Sequence, residues 1–345
     1  MPPFIVTVSD GTAAVVAAGS GRTVAAIPRP ADIYAYEGVS GAADDRTFIL
    51  AGADLSGGHW RTVFFRVLLD AAGKPGPVRQ LPGQPWVVPT PVISGGWVDF
   101  DLAVSPDGSE LAFASGTPFP SGPGTPYNPP LPTAGANERI VVQDVATGAR
   151  RTWAPWRSAN AVISQFSWGA GGLLGYDIVL AHAVVSGGTL AYRARAGNVA
   201  AFAVLHTEAR GGSLATDSHV VTATTPRGTV LYEPNGVLGP DGKVAYVQLP
   251  RSRQAGTIAE VSVATGRTIR LLVSGYRARL GDPMSIDAGD RFLLFPLALR
   301  HPHVINTQRP FLVGHLARLS LRTGTVTGLR VPVIDRINGN FDAAW

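Results

Sequence analysis

Val142-Gln143-Asp144-Val145-Ala146-Thr147-Gly148-Ala149 is the stretch on which the reading of this chain turns. A strand-like apolar run enters a short polar segment, and Gly148 closes that segment before a second run begins. Glycine takes positive φ without the steric cost other residues incur, so the phrase reads as a β-hairpin with Gly148 at its left-handed position. The phrase recurs around Gly21 (Val15 to Arg22), Gly73 (Val67 to Lys74), Gly266 (Val261 to Arg267) and Gly324 (Leu319 to Thr325). Successive glycines are separated by 52, 75, 118 and 58 residues, and 118 is two units of 59. A copy of altered sequence is therefore expected near His206 to Gly212, where Thr207-Glu208-Ala209-Arg210-Gly211 stands, which makes six units.

A second phrase precedes the hairpins. Ser105-Pro106-Asp107-Gly108 leads into Leu111-Ala112-Phe113, and Gly239-Pro240-Asp241-Gly242 leads into Val244-Ala245-Tyr246-Val247. Proline presets φ at the first turn position and Asp-Gly completes the reversal. Weaker copies are Asp44-Asp45-Arg46 and Ala288-Gly289-Asp290. Two alternating turns per unit imply four antiparallel strands in roughly 50 to 60 residues, the period of a propeller blade. The expectation is one all-β domain over residues 1–345, a β-propeller of six four-stranded blades with seven as the alternative. Asn340 to Trp345 reads as an innermost strand without a blade, and Phe4-Ile5-Val6-Thr7-Val8 as a blade strand without an inner neighbour. Pairing the two would close the ring and leave no open edge.

Composition agrees. With 45% hydrophobic and 15% charged residues the chain can fill a core. Its 41 Gly and 28 Pro are dispersed, which long helices would not tolerate. No apolar run approaches the ~18 residues of a membrane helix. No signal peptide is read at Met1-Pro2-Pro3, which leads straight into the first strand. Absence of Cys excludes disulfides, thiolate metal sites and Cys nucleophiles. The net charge of +5 comes mostly from scattered Arg, not from a stripe, so no nucleic-acid partner is expected. The local groups Arg150-Arg151, Arg251/Arg253 and Arg277/Arg279 read as solvated loop faces. Two insertions interrupt the period: Gly116 to Asn137, rich in proline, and Gly169 to Gly188, apolar enough to pack.

At its Ser-Pro-Asp-Gly turns and Val-Ala-Thr-Gly hairpins the chain resembles TolB-like and WD40-like propellers, and as a whole the uncharacterised propeller regions common in actinobacteria. It departs from WD40 repeats in having no recurrent Gly-His start and Trp-Asp end, which favours six blades over seven. The resemblance implies an extracytoplasmic location, with a membrane tether ahead of the chain; a cytoplasmic location stays open. It specifies blades and not chemistry.

Gly-x-Ser-x-Gly, the phosphate loop and Gly-x-Gly-x-x-Gly are all absent, so hydrolase-elbow and nucleotide chemistry have no motif here. No cofactor and no metal are expected. His301-Pro302-His303 is the closest His pair and lacks an adjacent third ligand. The candidate ligand-binding residues lie on the expected innermost strands lining the axial channel: Tyr36, Glu37, Asp99, Asp101, Gln165, Tyr232, Glu233 and Asp342. The leading expectation is a monomeric, non-catalytic scaffold that meets a protein or cell-envelope partner through its loops and axial funnel, loop 116–137 included. One alternative is a metal-dependent hydrolase or lactonase, which needs three carboxylate or His ligands from different blades at the axis. Another is a carbohydrate-binding propeller, which needs exposed, coplanar Trp among Trp60, Trp86, Trp97, Trp153, Trp156 and Trp168.

Overall fold

The structure is a computed structural model that describes residues 2–54, 61–83, 86–87, 101–116, 138–155, 161–180, 183–186, 188–192, 199–224, 236–249, 257–273, 279–280, 285–299, 312–335 and 341–345. Six antiparallel sheets follow one another along the chain. From axis to rim, blade 1 is Ala35–Gly41, Thr47–Asp54, Arg61–Leu68 and Arg79–Gln80. Blade 2 is Leu102–Val104, Glu110–Ser115, Arg139–Asp144 and Arg150–Ala154. Blade 3 is Ala161–Gly169, Leu173–Leu180, Val199–His206 and Ser218–Thr224. Blade 4 is Gly236–Leu238, Val244–Leu249, Thr257–Ser262 and Thr268–Val273. Blade 5 has Arg279–Leu280 and Ser285–Ile286 inside Phe292–Leu299, then Leu312–Ser320 and Val326–Asp335. Blade 6 joins the two ends of the chain: Phe341–Ala344, Phe4–Ser9, Thr12–Ala17 and Thr23–Ile27. The closing pair runs antiparallel with Val6 opposite Ala344 and Val8 opposite Asp342, as the sequence suggested.

The apolar side chains sort into six clusters, one between each pair of neighbouring blades. Phe64 and Phe113 meet between blades 1 and 2, Trp153 and Tyr176 between 2 and 3, and Phe202 and Val247 between 3 and 4. Tyr246 and Phe295 meet between blades 4 and 5, Leu316 and Trp345 between 5 and 6, and Val15 and Phe48 between 6 and 1. A sheet packed on both faces cannot alternate apolar with polar, which is why Thr47–Asp54 is buried at every position. At the rim the constraint lapses, and Ile269 and Leu271 of Thr268–Val273 are exposed.

The two turn phrases do what their chemistry dictates. Gly21, Gly73, Gly148, Gly266 and Gly324 all have φ between 65° and 79°, and each joins the third strand of a blade to the fourth. Several have a second reason to be glycine. A Cβ on Gly148 would lie 3.0 Å from the Pro82 carbonyl oxygen, and one on Gly324 would lie 2.8 Å from that of Leu272, each on the preceding blade. The first-to-second strand turns carry Gly108 and Gly242 at φ 74° and 72°; in the weaker copies Asp45 and Asp290 take the same place at φ 56° and 51°.

The third blade departs from expectation in one respect. Of segment 169–188, read as an insertion, Leu173–Leu180 is the blade's own second strand, and its apolar run is that of a strand buried on both faces. What interrupts the blade is the two-stranded sheet Ala183–Ser186 and Thr189–Tyr192. After Val199–His206, the expected site of the sixth hairpin, Gly212–Ser213 adds in parallel to the rim strand of blade 2, and the one-turn helix Leu214–Asp217 follows. Loop 117–137 lies outside the described residues. Among the described residues no helix is long and apolar enough to cross a membrane.

Gly324→Ala tests the hairpin constraint, because the new Cβ meets both an unfavourable φ and a backbone oxygen. We expect a loss of about 2 kcal/mol or more in urea unfolding, against less than about 0.5 kcal/mol for Gly19→Ala, where no atom lies within 4 Å. Equal losses at the two positions would remove the inter-blade explanation.

Candidate functional site

The inner strands are sheet edges, and each carries N–H groups that no strand of its own blade can accept. The neighbouring blade answers with side-chain oxygens. Val39 N–H of blade 1 donates to Asp342 Oδ2 of blade 6 at 2.7 Å, and Val104 N–H of blade 2 to Ser40 Oγ of blade 1 at 3.0 Å. Ile163 N–H of blade 3 donates to Glu138 Oε2 of blade 2 at 2.5 Å, and Leu238 N–H of blade 4 to Ser167 Oγ of blade 3 at 2.8 Å. Trp345 N–H of blade 6 donates to Ser285 Oγ of blade 5 at 3.5 Å. At these five junctions the oxygen belongs to the preceding blade around the ring, blade 6 preceding blade 1, and the N–H to the blade that follows it. Between blades 4 and 5 the Tyr246 hydroxyl donates to Asp290 Oδ1 at 2.9 Å.

Inside this ring lies a cavity of about 590 Å³ to which every blade contributes. Glu37, Ser40 and Asp45 come from blade 1, Asp101 and Pro106 from blade 2, and Gln165, Ser167 and Trp168 from blade 3. Val237 and Pro240 come from blade 4, Ser285 and Ile286 from blade 5, and Asp342 and Trp345 from blade 6. Glu37, Asp101, Gln165 and Asp342, four of the sequence candidates, are thus brought to one surface. Two of them sit at register breaks. Tyr36 and Gly38 pair with adjacent partners, which leaves Glu37 as the extra residue, and the shift between Ser164 and Ser167 puts Gln165 at φ 56°. A β-bulge re-aims a side chain out of the pleat, and such breaks concentrate beside binding sites.

Tyr36 goes elsewhere. It packs between blades 6 and 1, edge-on to Phe65 with ring centroids 6.4 Å apart, and its hydroxyl donates to the Pro28 carbonyl at 2.8 Å. Burial pushes its pKa up to about 12, against the pull of Arg29. Glu37 lines the cavity, but its carboxylate turns into the blade, where Oε2 accepts from Thr62 Oγ1 on the third strand from the axis at 3.3 Å. Asp99, Tyr232, Glu233 and the His301/His303 pair lie outside the described residues.

The carboxylates are held in poorly solvated places. Burial pushes Asp342 up to about 6, offset by the N–H groups of Val39 and Ala343. Burial also raises Asp45, helped by the charge of Asp287, whose other neighbour is the Arg291 guanidinium at 2.9 Å. Glu138, behind Asp101, is pushed up to about 8 by burial, with the Ile163 N–H opposing. Sequence reading missed Ser40, Asp45, Glu138, Ser167 and Ser285. Asp45 had been absorbed into a turn, and the others have no motif because their partner is the backbone of another blade. Among the described residues no three His, Cys, Asp or Glu side chains are grouped to hold a metal ion. Of the tryptophans whose side chains are described, Trp153, Trp168 and Trp345 are 0%, 8% and 3% exposed, and none of these three offers a ring to a platform.

Six four-stranded blades closed around an axial cavity define a β-propeller. No family model and no curated protein matches the chain. Among solved structures it is similar to TolB from Acinetobacter baumannii, with 13% identity and a TM-score of 0.52 over 99% of this chain and 66% of that one, just under two thirds of its length. Lower similarity is found to oligogalacturonate lyase from Vibrio parahaemolyticus (9% identity, TM-score 0.47, 92% of this chain, 70% of that one). An acylaminoacyl peptidase from Pyrococcus horikoshii follows (13%, 0.43, 85% and 39%). The likeness to TolB shows the shared fold.

A group buried as an acid makes stability fall with rising pH. Between the ordinary Glu value of 4.5 and about 8 the native state holds the Glu138 proton while the unfolded chain has released it. The unfolded state then binds fewer protons, and ionising Glu138 costs folding energy as pH rises. Asp342 adds a fall of the same sign between 3.8 and about 6. Glu138→Gln should flatten the decline in urea midpoint on going from about pH 5 to about pH 8. A wild-type midpoint as flat as the variant's would contradict the assignment.

Proposed function

We propose that this chain is a non-catalytic propeller scaffold that engages a protein or cell-envelope partner through its axial funnel and surrounding loops. The observation that carries the reading is the employment of the axial polar groups. Asp342 spends one oxygen on the Val39 N–H and the other on the Ala343 N–H, and Ser40, Ser167 and Ser285 each hold the inner strand of the next blade. Groups so engaged line and stiffen a recess instead of converging on a reacting atom, and a preformed recess suits recognition. A propeller hosts many activities, so the reading rests on these side chains and not on the fold.

The experiment is site-specific photocrosslinking in the cell that encodes the protein. A benzophenone side chain replaces Ala43 or Ala288, both exposed on turns at the cavity, or Ile269, exposed at the rim. We expect one discrete adduct from Ala43 and Ala288 and none from Ile269. Adducts of equal yield from the rim, or none from the cavity positions, would remove the axial reading.

A further inference from the structure

We propose that the axial cavity receives a cationic group on an apolar stem, an arginine or lysine side chain of an extended partner segment. This deepens the partner-binding reading and rests on it.

The cavity inverts the charge of the protein around it. The chain carries 29 Lys and Arg against 24 Asp and Glu, yet the described residues lining the cavity include Asp45, Asp101 and Asp342, with the Glu37 carboxylate set back against Thr62, and no Lys, Arg or His. Arg291, whose charge reaches Asp45, is already paired with Asp287. Low-dielectric walls focus such a field, so a cation entering from water is attracted and an anion repelled. Between the carboxylates the wall is apolar, with Val39, Leu102, Phe166, Val237 and Ile286. Lys and Arg suit such a surface, since their methylene stems bury while the charged head keeps polar partners.

A second observation points to a peptide instead of a bare ion. The volume of about 590 Å³ accommodates a few residues and greatly exceeds what an ion needs.

The test titrates the full chain, by calorimetry up to about 10 mM, with acetyl-Leu-Arg-Leu-amide, the same peptide with Gln or Glu at the centre, and calcium or manganese chloride alone. We expect saturable binding of the Arg peptide, roughly tenfold tighter than the Gln peptide and weakening as salt rises. Asp101→Asn and Asp45→Asn, neither of which disturbs the Asp342 latch, should each weaken it roughly threefold to tenfold while leaving thermal unfolding in place. Should either variant misfold, the other and the salt series on the wild-type chain still decide. Equal affinity for Arg and Gln peptides, preference for Glu, or saturation by the metal salt without the peptide would overturn the proposal. If no peptide saturates while crosslinks from Ala43 and Ala288 persist, the cationic ligand falls and partner binding stands; loss of both takes both.

Discussion

Six blades need six interfaces, and the sixth is the one the rest depends on. A four-stranded sheet with two apolar faces is satisfied only when both faces are covered, and a row of such sheets always leaves two faces bare. Here the cover comes from pairing Phe341–Ala344 with Phe4–Ser9, which makes one blade from both ends of the chain and allows Val15 to meet Phe48 on one side and Trp345 to meet Leu316 on the other. Each large side chain removed from water in such a seam contributes about 1.5–3 kcal/mol, so an unclosed ring would forgo several of these at once.

Closure leaves an unsolved edge on the inside. The innermost strands face a cavity and not another strand, and their N–H groups would be stranded without the oxygens of Asp342, Ser40, Glu138, Ser167 and Ser285. The polar residues around the axis therefore answer two demands. They fasten one blade to the next, and they set the charge of the recess that remains. Asp342 shows both at once: it bridges the junction where the two ends of the chain meet, and it is one of the carboxylates on the cavity wall.

The sequence disclosed what repeats. Gly21, Gly73, Gly148, Gly266 and Gly324 stand out because one backbone angle demands one residue, and the period they mark leads to blades and ring. It hid what is solved differently at each copy. Asp45 and Asp290 replace glycine at a left-handed turn, since a short polar side chain tolerates that angle, and no glycine search finds them. Leu173–Leu180 looked like an insertion because a strand buried on both faces loses the alternation by which strands are recognised. The candidate site was legible in part. Inner-strand position pointed to Glu37, Asp101, Gln165 and Asp342, whereas the bulge at Glu37, whose carboxylate accepts from Thr62 on the third strand of its own blade, depends on pairing with Thr47–Asp54, which no local pattern reports.

The inter-blade bonds to the inner strands have a direction, and the direction has a temporal meaning. Ser40 is made before Val104, Glu138 before Ile163, Ser167 before Leu238, and Ser285 before Trp345. The inner strands of blades 2, 3, 4 and 6 thus have their acceptors on blades synthesised before them, an order compatible with domain assembly during translation. Asp342 alone reverses the order, accepting from Val39, which precedes it by 303 residues. Four of these bonds follow the order of synthesis, and the fifth, at the junction of the two closing strands, runs against it.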